Sequence, residues 1–179
     1  MTVTIRPATQ DDARAIAEAR IESWRFAYRG IVPGLYLDAM KPENSVDRWR
    51  AAAAGERPDH HLLVSEDDGM LIGFAMVGPA RDPEFGYSSE LHAIYFRSHA
   101  VGRGHGRALF EACRAWLCDA GHADMMLWVM EDNVRAQRFY ERAGGVLLSG
   151  SRRSFEIMGK TVWELAYGVR PLCAGAASR

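Results

Sequence analysis

Val101-Gly102-Arg103-Gly104-His105-Gly106-Arg107-Ala108-Leu109 is the stretch from which the rest of the chain can be read. Glycines alternate at 102, 104 and 106, so the backbone can approach a ligand there with no Cβ in the way. Behind them Leu109, Cys113, Trp116, Leu117 and Ala120 recur at helical spacing, and Gly121 ends the run. A glycine turn that opens a helix offers unpaired N–H groups at the positive end of the helix dipole, and Arg103 and Arg107 add charge. A phosphate or pyrophosphate is the guest that suits it. Two other phosphate motifs are excluded. The Gly-x-x-x-x-Gly-Lys-Ser/Thr loop is absent, and Gly-x-Gly-x-x-Gly fails where its third glycine is required and lies mid-chain rather than after a first strand.

Upstream of the turn, Ser89 to Arg97 reads as an extended run. Before it, His61 to Glu66 and Met70 to Val77 flank Asp67-Asp68-Gly69, a hairpin signal because Asp-Gly supplies positive φ angles. Val3 to Arg6 reads as a first strand stopped by Pro7, and Thr9 with Asp12 as the start of an amphipathic helix over 10–28, broken by Arg29-Gly30 and Pro33-Gly34. A second helical region includes Val46 to Ala54. Downstream, Asp124 to Met130 is a strand, Asn133 to Ala143 a helix, and two extended segments over 146–157 and 161–169 flank a Gly159-Lys160 turn. This order predicts an α/β fold with a mixed sheet of about seven strands. One domain over 1–170 is expected, with 171–179 as a dispensable tail.

Composition narrows the function. Apolar residues make up 48% and charged residues 25% of 179, which excludes a disordered or fibrous chain. A net charge of −1 gives no basic excess for holding nucleic acid through its phosphates, so no nucleic-acid partner is expected. No apolar run suits a membrane span or a secretion signal, and a cytoplasmic location is expected. Cys113, Cys118 and Cys173 are few and odd in number, which predicts structural thiols in a reducing compartment rather than a disulfide. No metal site is expected, since neither Cys113, Cys118 and His122 nor His60-His61 has ligand spacing.

The turn does not stand alone. The strand Glu90-Leu91-His92-Ala93-Ile94-Tyr95-Phe96 precedes it, and Leu127-Trp128-Val129-Met130-Glu131-Asp132-Asn133 and Phe139-Tyr140-Glu141-Arg142-Ala143-Gly144 follow. With these motifs in this order the chain resembles the GNAT superfamily of acetyl-CoA-dependent N-acetyltransferases. That family's hallmark is Gln or Arg-x-x-Gly-x-Gly or Ala at a strand-to-helix turn, then a strand, an Asn, and a Tyr seven positions on. Gly104 and Gly106 match the glycines, and Asn133 and Tyr140 the second spacing; Val101 stands where the family has Gln or Arg. The opening Ile5-Arg6-Pro7-Ala8 and Ser23-Trp24-Arg25-Phe26-Ala27-Tyr28-Arg29-Gly30 also look like members of the family.

The resemblance implies a single-domain, mostly antiparallel sheet flanked by about four helices. It implies transfer of acetyl from acetyl-CoA to a primary amine, of a small molecule or a protein, by direct attack in a ternary complex. Tyr140 would be the general acid toward the departing thiolate. The backbone of Tyr95, Phe96 and Arg97 would pair with the pantetheine arm, and Asn133 would contact it, although Asn133 also suits a helix cap. Arg103, Gly104, His105, Gly106, Arg107 and Ala108 would hold the pyrophosphate. Glu90 is the first candidate for the base and His92 the second; strand alternation puts both with Ile94 and Phe96 unless a bulge intervenes. Trp24, Tyr28 and the loop at Pro33 would line the acceptor side. The acceptor itself stays open: Asp82, Glu84 and Glu90 suit a cationic amine, whereas Arg152-Arg153 could read a carboxylate. The alternative is a non-catalytic acyl-CoA-binding module. An exposed sheet edge in such folds is also compatible with a homodimer.

Overall fold

The structure, a computed structural model, describes residues 3–173. Its spine is one mixed sheet: β1 (Val3–Pro7), β2 (His61–Asp67), β3 (Met70–Pro79), β4 (Ser89–Phe96), β5 (Met125–Met130), β6 (Val146–Leu147), β7 (Arg153–Ile157) and β8 (Lys160–Val169). The spatial order is β1-β2-β3-β4-β5-β8-β6, with β7 also on β8. Every pairing is antiparallel except β4 with β5, which are joined by the helix α4 (His105–Asp119) described below. Other helices are α1 (Ala13–Ala27), α2 (Gly34–Ala39), α3 (Val46–Ala53) and α5 (Val134–Arg142).

Two layers of helix cover the sheet. α1 and α3 bury Ile16, Ala17 and Trp49 against Leu62, Val64 and Phe74 on one face. α4 and α5 bury Leu109, Phe110, Leu117 and Tyr140 against Leu63, Ile72, Val77 and Leu127 on the other. Each fully buried Leu or Phe contributes roughly 1.5–3 kcal/mol, so these two faces hold the sheet between them. The start of α1 is pinned to the sheet: Arg6 on β1 forks onto Asp12 at 2.8 and 2.9 Å and also onto Glu66 of β2.

The expected fold class stands, and its approximate counts become eight strands and five α-helices among the described residues, because the segment 146–157 is interrupted by a turn at Gly150 (φ 74°) and because Pro33, read as a breaker, instead serves as the N-cap of α2. Two other expectations change. Cys118 and Cys173 form a disulfide across 55 positions, leaving Cys113 as the free, buried thiol among the described residues. The cysteine count therefore gives no argument for a reducing compartment. Lastly, the segment beginning at Pro171 is docked through Cys173: Leu172 is buried, its N–H donates to the Ala123 carbonyl at 3.0 Å, and Arg114 donates to the Pro171 and Leu172 carbonyls. The rest of the expected tail, 174–179, lies outside the described residues. Among the described residues no helix is long and apolar enough to cross a membrane.

Candidate active site

The site begins as a defect in the sheet. β4 and β5 pair only at Glu90 with Met126 and Leu91 with Leu127, then part. On the other side of β4, Met76 opposes Ala93 while Val77 opposes Leu91, so His92 is the extra residue of a β-bulge. The bulge changes which side chains share a face. Leu91, Ile94 and Phe96 meet the α4 core, whereas Ala93 and Tyr95 meet the α1 core. Where the strands separate, a cleft of about 460 Å³ opens between the unpaired edge of β4, the head of α4 and the inner side of α5.

The head of α4 forms the end of this cleft. Gly102 and Gly104 have φ of +83° and +88°, a region in which a side chain is strained, and Gly104 is the N-cap. No backbone hydrogen bond is donated by Gly102, Arg103, Gly104, His105 or Gly106, while the N–H groups of Arg107 and Ala108 both donate to the Gly104 carbonyl. Among the described residues the free amides are thus 102–106, and those of Arg107 and Ala108, expected to contact the pyrophosphate, are already used. A Cβ on Gly106 would meet Phe139 at 3.5 Å, an ordinary contact. Protein packing therefore does not demand glycine at 106; bareness toward the cleft is what it gives. Arg103 has no carboxylate partner among the described residues, and Arg107 reaches Glu111 at 3.7 Å. Arg135 and Arg142 of α5 also line the cleft. They are missing from the sequence reading, though a spacing of seven residues on one helix puts them on one face. Val101 packs against the α4 core, so the position offers a hydrocarbon surface where a Gln or Arg would offer donors.

Arg97 is the second departure. Its backbone N–H donates to Ile72 at 2.8 Å and its guanidinium bonds Leu71 and Glu22. Neither group is left for a cofactor. Glu22 of α1 also accepts from the N–H and hydroxyl of Ser98 at 2.8 and 2.7 Å. Tyr95 and Phe96 do line the cleft, on its β4 wall.

Tyr140 serves the core and the cleft at once. Its ring contacts Phe110 and Phe139 at centroid distances of 6.2 and 5.2 Å, yet it lines the cleft and its hydroxyl has no hydrogen-bond partner among the described residues. Burial pushes its phenol well above the usual tyrosine range, with Tyr95 and Cys113 adding to the effect. Asn133 lines the cleft, and its side chain caps α5 by accepting from Ala136 N–H at 3.2 Å.

Glu90 is not brought to the cleft. It is fully buried, and its carboxylate accepts from Arg81 backbone N–H at 2.9 Å, from Arg81 Nε at 3.0 Å and from the Arg81 Nη2 group. A carboxylate so engaged is a structural charge. His92 does line the cleft. Its Nδ1 lies 3.7 Å from Glu90, and its Nε2 is buried with no partner among the described residues. Burial, partly countered by Glu90, lowers the imidazole to about 4, so it is neutral at physiological pH. On the opposite wall Tyr28 closes the end of α1, in edge contact with Trp24 at 4.8 Å.

Of the remaining charges named in the sequence, Asp82, Arg152 and Arg153 are all paired. Asp82 accepts from Trp128 Nε1 and from Arg153, each at 2.9 Å, Arg153 also bonds Glu164 at 2.7 Å, and Arg152 forks onto Glu131 at 2.8 Å. Among the described residues no cluster of three His, Cys, Asp or Glu is placed to hold a metal.

A bulged strand parting from its parallel neighbour beside a glycine-led helix is an arrangement with known relatives, and the acetyltransferase (GNAT) family model matches residues 17–145. The chain belongs to the GNAT family. Over 173 residues, 96% of this chain and 95% of the relative, it is 32% identical to the uncharacterized N-acetyltransferase YuaI of Bacillus subtilis. It is 31% identical to an aminoglycoside N(6')-acetyltransferase type 1 of Stenotrophomonas maltophilia, covering 79% of this chain and 84% of that one. Among solved GNAT-like folds, the PaiA N-acetyltransferase of Thermoplasma acidophilum in complex with coenzyme A superposes with a TM-score of 0.74 at 20% identity, over 92% of this chain and 98% of that chain. YncA of Salmonella typhimurium, solved with acetyl-CoA, gives 0.73 at 21% identity over 100% and 99%. At these identities the two structures speak to the fold.

Proposed function

We propose that this GNAT chain is an N-acetyltransferase that moves acetyl from acetyl-CoA to a primary amine by direct attack in a ternary complex. The observation that carries this reading is the convergence, in one cleft, of the unpaired β4 edge, the free amides of Gly102, Gly104 and Gly106 and Tyr140. The parts suit the substrate's parts. The amides and Arg103 suit a pyrophosphate, the strand edge at Tyr95 and Phe96 suits an amide-bearing arm, and Asn133 stands beside it. Arg135 and Arg142 add positive charge on the α5 side.

In the reaction the amine nitrogen bonds to the thioester carbon while a backbone N–H on the β4 edge polarises the carbonyl oxygen. The nitrogen of the tetrahedral intermediate is far more acidic than an alkylammonium and gives its proton to neutral His92. The C–S bond then breaks and Tyr140 protonates the sulfur. The burial that makes the phenol a weak acid also disfavours a thiolate leaving in the same cleft, which favours protonation of the sulfur. His92 is given the role first assigned to Glu90 because the residue lines the cleft and its buried Nε2 has no partner among the described residues; Glu90 lies 3.7 Å from its Nδ1.

Two measurements test this: calorimetric titration with acetyl-CoA, and thiol release across metabolite amines, polyamines, aminoglycosides and peptide N-termini. Saturable binding with amine-dependent release is expected. Binding with no amine-dependent release in the panel would make the protein the non-catalytic acyl-CoA module, and absence of binding would end both readings.

A further inference from the structure

Behind the Tyr28 wall lies a second cavity, of about 330 Å³, built by α1, α2 and the start of α3. Its polar lining is Arg20, Tyr36, Lys41, Asn44, Ser45 and Arg48. Three of these are cations and none is an acid. Nearby carboxylates are committed elsewhere: Glu18 to Arg14 at 3.1 Å, Glu22 to Arg97 at 3.1 Å, Glu43 to Arg14 at 3.3 Å and Asp47 to Arg50 at 2.6 Å. Arg20 and Arg48 have no hydrogen-bond or ion-pair partner among the described residues. Each instead lies over an indole, Arg20 at 4.5 Å from Trp24 and Arg48 at 4.7 Å from Trp49. Stacking of this kind orients a guanidinium while leaving its N–H fork free. The indole N–H of Trp24 is likewise buried without a partner among the described residues.

The two cavities share no lining residue, but one stripe of α1 runs from the second to the cleft wall. Arg20, Trp24 and Tyr28 follow one another at intervals of four along α1 and its C-cap, so they share a stripe. With Arg20 4.5 Å from the Trp24 ring and Trp24 4.8 Å from Tyr28, the guanidinium lies at most 9.3 Å from a ring of the cleft wall. Burial and the neighbouring Arg20 charge both lower Arg48, so the two guanidinium groups repel each other across the cavity. Arg152 and Arg153, the pair the sequence offered for a carboxylate, are both engaged with carboxylates.

Resting on the acetyltransferase reading above, we propose that Arg20 and Arg48 form a carboxylate subsite, so that the acceptor is an amine carrying a carboxylate several bonds from the nitrogen that is acetylated. Each stacked guanidinium can present parallel N–H donors to a carboxylate, a charge-assisted pair that discriminates strongly against a neutral amide. Lys41 supplies further charge at the rim, and Trp24 packs along the chain that joins amine to carboxylate.

The test compares matched acceptors: 4-aminobutanoate, 6-aminohexanoate, and L-glutamate and glycyl peptides, each against its amide, with thiol release as the readout and acetyl-CoA affinity measured separately. Acids are expected to exceed amides at least about 10-fold in kcat/KM. Arg20→Gln and Arg48→Gln should each remove about 10- to 100-fold for the acid, through KM, while leaving the amide rate and acetyl-CoA affinity unchanged; Arg48→Lys should restore part of the loss. Thermal melts of the variants confirm that they fold. The subsite is overturned if amides match acids, if the variants depress both alike, or if no acid is accepted by protein that binds acetyl-CoA. Loss of acetyl-CoA binding itself would instead strike the acetyltransferase reading.

Discussion

The two walls of the cleft are made of different material. On the α4 side the groups that meet a ligand are backbone amides bared by glycine, with Tyr140 and Asn133 set on the next helix. On the α1 side they are side chains drawn from three separate elements: Tyr28 in the cleft itself, and Tyr36, Arg20 and Arg48 in the second cavity. A wall of amides is dictated by a few local residues and serves one fixed ligand. A wall of side chains can be rebuilt without touching the fold, so the α1 side is where an acceptor can change while the acyl donor does not.

Four experiments would sharpen that contrast or break it. The largest effect is expected from Tyr140→Phe, which should lower kcat about a thousand-fold for every acceptor while leaving the calorimetric affinity for acetyl-CoA within two-fold or so. An acceptor-dependent loss would move Tyr140 to the other wall. Glu90→Gln should act on stability instead: the carboxylate is buried while its partner Arg81 reaches solvent, so losing the charge-assisted hydrogen bonds should cost about 2 kcal/mol in denaturant unfolding. The turnover of the folded fraction should change only a few-fold. A rate loss of a hundred-fold with unchanged stability would return the base to Glu90. Gly104→Val puts a β-branched side chain at φ +88° and should weaken acetyl-CoA about 100-fold, with acceptor KM unaltered.

The smallest effect is one of pH. The imidazole of His92 is held at about 4, below the ordinary value near 6.5. Because the unfolded chain binds the proton first as pH falls, the stabilisation tied to neutral His92 is complete above about 6.5 and is lost progressively between 6.5 and 4. Resonances of the His92 ring followed by NMR should therefore stay unchanged through pH 6 to 7. An ordinary titration near 6.5 would mean that the ring is solvated and that its nitrogen is not reserved for a substrate.

The same contrast explains what could be read beforehand. Glycines at 102, 104 and 106 and the Asn133–Tyr140 spacing are local signals with one physical meaning, and they located the α4 wall. Amide occupancy is not local in that sense, so the sequence could not show that Arg97, Arg107 and Ala108 had already spent their N–H groups. Glu90 was misplaced for a related cause. Period-two alternation is the only clue a strand offers, and one extra residue at His92 breaks it, while the Arg81 that captures Glu90 comes from a loop. The pairing of Asp82, Arg152 and Arg153 and the isolation of Arg20 and Arg48 both depend on which helices and strands become neighbours, and no spacing encodes that. Cys118 and Cys173 were set aside on an odd count, although an odd count still permits one bond.

That bond makes the stretch from Cys118 to Cys173, which holds β5, α5 and β6 to β8, a covalent ring. A protease that nicks any loop inside it, such as the Gly150 turn, leaves two pieces that migrate as one band until a reductant is added.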